Sequence, residues 1–160
     1  MTTTYTARPI DPLALEELRT ADDAGRPTAG FTDPEGGAPL RCCLRRSAPG
    51  ERIALVSYAP LRRWASATGA DPGPYDDEQG PVFIHAEPCE GYLGEALPFT
   101  NSHRTVRRHS ADGRILGGRL VEEPAAFRQA FAEAFADPAV ALVHVRAVEY
   151  GCFLYEVRRP

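Results

Sequence analysis

The sequence predicts a single α+β domain: a mainly antiparallel sheet built from hairpins, with two helices. Three observations lead there. Apolar segments flank turn signals at Asp112-Gly113 and at Glu149-Tyr150-Gly151, each a hairpin signature. Residues 124–138 carry Phe127, Phe131 and Phe135 at every fourth position with Ala130 and Ala134 beside them, which gives a helix one apolar face. The order helix, strands, helix, hairpin then favours helices packed on an antiparallel sheet. With 160 residues and 43% hydrophobic content, the chain is expected to fold as one domain over 1–160.

Element by element, "DPLALEELRTADDAG" reads as a first helix, with Asp11 as its cap and Pro12 at the first helical position. The Gly- and Pro-rich segment after Gly25 reads as loop. "LRCCLRRS" is expected as a strand that pairs through the "APGE" turn with "RIALVSYAP", whose two mostly apolar faces suit a central strand. Residues 59–81 read as a long loop with a helical turn at "LRRWASA" and a lid at Tyr75–Gln79. "PVFIHA" is the next strand, and the 103–123 hairpin turns at Asp112-Gly113. Pro124 opens the phenylalanine-striped helix and Pro138 ends it. In the C-terminal hairpin, a loop at 149–151 pairs Val148 with Cys152, Arg146 with Leu154 and His144 with Glu156. That register places His144, Arg146, Cys152 and Glu156 on one sheet face, opposite the core face of Val143, Val145, Phe153, Tyr155 and Val157.

Composition excludes several classes of chemistry. All 18 cationic side chains are arginine, so lysine Schiff-base chemistry is out. A net charge of −4 argues against nucleic-acid binding. No apolar run reaches the ~20 residues of a membrane span, and the polar "MTTTYTARPIDP" start does not resemble a secretory signal, so the cytoplasm is expected. Cys42, Cys43, Cys89 and Cys152 form no CxxC pair, which removes zinc-ribbon and thioredoxin-like motifs.

"GPVFIHAEPC", "ADPAVALVHVR" and "YGCFLYEVRR", together with "RCCLR" and "PGE", resemble the bacterial family called domain of unknown function 1203 across residues 40–159. The chain departs from the family pattern in carrying His109-Ser110 where an aromatic-Asp pair is expected. The resemblance implies a small cytoplasmic protein and no particular activity.

Candidate chemistry therefore rests on residues. His85 at a strand end and Cys89 just past it form a candidate catalytic pair, the imidazole acting as base for the thiol. "HRTVRRH" offers an anion pocket with Arg104, Arg107 and His103 as ligand-binding residues, and the Tyr75–Gln79 loop, carrying Tyr75, is expected to roof the pocket at His85 and Cys89. His144, Arg146, Cys152 and Glu156 make a second cluster. A zinc site would draw on His85, Cys89, Cys152, His144 and one of Cys42 or Cys43, since neighbours on a strand point to opposite faces. No cofactor is expected, with zinc as the alternative. A small-molecule binding protein or enzyme is the leading reading. A non-enzymatic interaction module, self-associating as a homo-oligomer, is the other.

Overall fold

The structure is a computed structural model that describes residues 3–160. Two antiparallel sheets form within this α+β domain. The larger has the order β5-β4-β6-β7, from β4 (Arg104–Ser110), β5 (Ile115–Val121), β6 (Val140–Ala147) and β7 (Phe153–Arg158). The smaller has the order β1-β2-β3, from β1 (Phe31–Thr32), β2 (Arg52–Tyr58) and β3 (Gly80–His85). Three helices accompany them: α1 (Pro12–Leu18), α2 (Pro60–Thr68) and α3 (Phe127–Ala136).

The phenylalanine stripe does what its spacing predicts. Phe127, Phe131 and Phe135 of α3 are buried against Val106, Val143, Val145, Tyr155 and Val157 on one face of the larger sheet. Each such ring contributes about 1.5–3 kcal/mol by leaving water. Tyr155 sits in this core with its hydroxyl unpartnered among the described residues. Burying an unpaired hydroxyl costs about 1–3 kcal/mol, so Tyr155→Phe should leave the melting temperature unchanged or raise it, as a thermal scan would read. A second apolar cluster joins α1 through Leu15 and Leu18 to Ile53, Val56, Val82 and Ile84 of the smaller sheet. Phe153 of β7 packs into this second cluster, so the two sheets share a contact.

Four details depart from the sequence expectation. Residues 40–47 are not a strand hairpinned to β2, whose partners are β1 and β3. Instead Leu40 bridges Phe83 in parallel and the chain then turns, with Leu40 N–H bonded to the Arg45 carbonyl and Leu44 at φ 56. Residues 60–68 form a full helix rather than one turn, started by Pro60 and stopped by left-handed Gly69. Its first amide, at Ala59, donates to the Asp23 carboxylate at 2.7 Å. In the C-terminal hairpin His144 does face Glu156, but Arg146 faces Phe153 and the Ala147 N–H bonds the Cys152 carbonyl. The register shift at Val145/Arg146 leaves Leu154 unopposed and turns Phe153 onto the His144 face. Lastly, Tyr75–Gln79 is no lid over His85, because Glu78 pairs with Arg107 and, at 3.5 Å, with Arg146 on the larger sheet.

No helix of the described residues is long and apolar enough to cross a membrane.

Candidate metal centre

Register explains how the cysteines meet the histidine. The Leu40–Phe83 bridge and the Arg41 N–H bond to the Phe83 carbonyl lay residues 39–41 along the outer edge of β3. Two residues further on, Cys42 arrives beside His85 at the strand end. The tight turn that follows swings Cys43 to the same side, which an extended strand would forbid.

The resulting geometry is close. Cys42 Sγ lies 3.4 Å and Cys43 Sγ 3.8 Å from His85 Nδ1, and the two sulfurs are 3.9 Å apart. Cys89, on the exposed loop after Pro88, brings its sulfur to within 4.8 Å of these ligand atoms. The His85 main-chain N–H also donates to Cys42 Sγ at 3.2 Å.

On the far side of the imidazole, Nε2 donates to Glu51 Oε2 at 2.8 Å. That bond selects the tautomer whose Nδ1 lone pair faces the three thiols. Glu51 is itself fixed by a two-pronged Arg45 guanidinium, both bonds 2.9 Å, and by the Ala48 N–H at 2.6 Å. The Arg45 guanidinium first, then the Ala48 amide and His85, hold the Glu51 carboxyl well below the usual carboxylate range. Between the vicinal thiols, the Cys42–Cys43 hydrogen bond pushes Cys42 up and Cys43 down. Cys43, His85 and Cys89 line a cleft of about 740 Å³ together with Arg45, Glu51 and the rest of the Glu87–Gly94 loop.

The other sequence-predicted residues go elsewhere. His85 and Cys89 have ligand atoms within 4.8 Å of one another, in company with Cys42 and Cys43 rather than as an isolated pair. Arg104 is buried and bonds the Phe99 carbonyl, whereas Arg107 faces Glu78 and His109 from the other side of β4. His103 is exposed beside Arg104, and Tyr75 lies on the short 3-10 helix 73–77 with no place in the cleft. The proposed anion set of Arg104, Arg107, His103 and Tyr75 is thus divided between two faces. Of the second cluster, His144, Arg146 and Glu156 share a face, with His144 Nε2 3.1 Å from Glu156 Oε1. Cys152 leaves that group and accepts from Arg41 Nη2 at 3.1 Å.

Glu51 and Arg45 escaped the sequence reading. Their signal was present in "RCCLRRSAPGE", where a carboxylate and a guanidinium flank the vicinal cysteines through a Pro-Gly turn.

Over residues 37–159 the chain matches the family described as Protein of unknown function (DUF1203). No curated protein and no solved structure matches it.

Proposed function

We propose that this chain, which belongs to the DUF1203 family, is a metal-binding protein whose Cys42, Cys43, His85 and Cys89 hold one thiophilic divalent ion, zinc foremost. One observation carries the reading. Zinc bonds of about 2.3 Å to sulfur and about 2.0–2.1 Å to nitrogen, set tetrahedrally, imply ligand edges of about 3.8 Å between sulfurs and about 3.5 Å between sulfur and nitrogen. The three edges among Cys42, Cys43 and His85 are 3.9, 3.4 and 3.8 Å. Those separations match what a shared tetrahedral ion requires.

The surroundings support the same chemistry. A metal-bound imidazole characteristically donates its other N–H to a carboxylate, which orients the ring and raises its basicity. Glu51 occupies that position and Arg45 locks it. Three thiolates and one imidazole fill a tetrahedral set, so the ion's role is to tie the 40–45 turn, the end of β3 and the 87–94 loop together. The expectation that no cofactor is needed gives way here to its alternative. The vicinal cysteines enter the set as a pair because they lie in a turn.

Metal analysis is the test. Protein purified under reducing conditions, with zinc supplied and no chelator, should carry about one zinc per chain by plasma mass spectrometry. Cobalt substitution should produce the intense thiolate charge-transfer band of a multi-cysteine site. A zinc content near zero, with all four thiols titrating as free, would overturn the proposal.

A further inference from the structure

On the other side of the 39–41 segment lies a second cleft, of about 560 Å³, walled partly by Phe31, Ile53, Phe83 and Leu154. Three arginines converge on it: Arg41, Arg46 and Arg104. We propose that this cleft binds a small oxyanion, a carboxylate or phosphate, carried on an apolar body. The proposal does not depend on the metal centre.

Charge balance makes the case. Arg41 is 1% exposed, deeper than any other charged side chain. Its guanidinium donates to the Phe153 carbonyl at 2.7 Å, to the Pro39 carbonyl and to Cys152 Sγ at 3.1 Å, and meets no carboxylate among the described residues. A buried charge normally sits against an opposite charge, because carbonyl dipoles alone repay little of its lost hydration. Arg104, also buried, reaches a carboxylate only at 3.4 Å, on a half-exposed Glu149. Arg46 bonds the Gly37 carbonyl at 3.0 Å and lays its guanidinium over the Phe99 ring at 5.7 Å.

The acids near the cleft are otherwise engaged. Asp33 accepts from the Ser47 hydroxyl at 2.7 Å and from the amides of its own turn. The Ser47 hydroxyl, first, holds the Asp33 carboxyl below its usual range, so the acid is spent on that turn. Three guanidiniums therefore share one weakly held carboxylate. Among the described residues Arg46 Nη2 and Arg104 Nη2 make no hydrogen bond, and both residues line the cleft. Two unoccupied guanidinium edges over a cavity suit the planar, two-oxygen face of a carboxylate or phosphate. The aromatic and aliphatic wall opposite them suits an apolar body attached to it.

The experiment is a titration of the intact protein, as purified, with benzoate and with phenyl phosphate, followed by calorimetry and by amide chemical shifts. Benzyl alcohol serves as the uncharged control. Saturable binding of benzoate, phenyl phosphate or both, with shifts centred on Arg41, Ser102 and Cys152, is the expected result. Whichever binds more tightly names the oxyanion, and benzyl alcohol should not bind. Arg41→Met removes a buried anchor between the sheets, so the deciding variant is Arg46→Gln, whose side chain is exposed at the rim. It should weaken the anion roughly ten- to hundredfold while leaving the melting temperature of the free protein in place. The proposal is overturned if neither anion saturates, if benzyl alcohol binds equally well, or if Arg46→Gln binds as the parent does. Repeating the titration on Cys89→Ser separates the two sites, since that residue lines only the metal-side cleft.

Discussion

Stripping the proposed zinc with a strong chelator should lower the melting temperature by roughly 10 °C, and zinc added back should restore it. A ligand that binds only the folded state stabilises it by about 4 kcal/mol at a thousandfold excess over its dissociation constant. In a domain of this size each kcal/mol moves the midpoint by about 2–4 °C. The segments that lose their tie are poorly held by themselves. The 40–45 turn keeps a few main-chain bonds and a left-handed Leu44, and residues 86–103 contain no helix or strand. Cys42→Ser lowers stability for two reasons, a lost ligand and a polar group in a buried site, so its own melting point proves little. What discriminates is chelator response: the parent should shift and Cys42→Ser should melt alike with and without chelator. Glu51→Gln keeps shape and loses the charge behind the imidazole, and zinc affinity should fall by about ten- to a hundredfold. A parent protein indifferent to chelator would refute both expectations.

Where the sequence was legible, the local pattern and the tertiary demand agreed. The Phe127/Phe131/Phe135 stripe admits one helical reading, and the α3 core follows it. The Asp112-Gly113 turn fixes the β4–β5 hairpin, and the His144–Glu156 pairing survives in the β6–β7 register. Where reading failed, a single residue in an unusual conformation changed the outcome. Leu44 at φ 56 converts "LRCCLRRS" from strand to turn, and a leucine carries no signal that it will adopt a left-handed backbone. One unopposed residue, Leu154, moves Phe153 to the opposite face and sends Cys152 toward Arg41. The α2 helix is different: Pro60 at its start and Gly69 past its end are ordinary boundary signals that the surrounding prolines obscured. The candidate site was half visible for the same reason as the fold. His85 and Cys89 lie on one strand and its exit, whereas Cys42, Cys43 and Glu51 reach them only through that unexpected turn.

Folding stability should also fall steeply as the pH drops from 7 towards 4.5, by about 2–3 kcal/mol from buried His109 alone, with buried His144 acting in the same direction. His109 and His144 are both 0% exposed, with ring centroids 4.6 Å apart on the face of the larger sheet that meets the smaller one. His109 donates from Nδ1 to the Gly113 carbonyl at 3.0 Å and accepts at Nε2 from Arg107 Nε at 3.1 Å. A proton on Nε2 would set two N–H groups against each other beside a guanidinium. Burial first, then the neighbouring His144, brings the His109 pKa down to about 3. His144 is likewise lowered by burial, although Glu156 opposes the shift, and Arg107 and Arg146 add to it. His109 stays neutral in the folded chain over this range, and His144 takes up its proton at lower pH than in the unfolded chain, whose histidines titrate near pH 6.5. The unfolded state then binds more protons, so stability rises with pH, by about 1.4 kcal/mol per pH unit for His109 and in the same direction for His144. Glu156, lowered to about 2 despite its burial by its bonds to His144 and Arg158, acts in the same direction, but only below the ordinary glutamate range. Urea unfolding at pH 7 and pH 5 reads the effect, with chelator present throughout so that proton-driven metal loss does not enter. His144→Gln retains a donor for Glu156 and should make the slope shallower. Equal unfolding midpoints at the two pH values would mean that both rings take up protons in the folded state as readily as in the unfolded one, and would overturn this expectation.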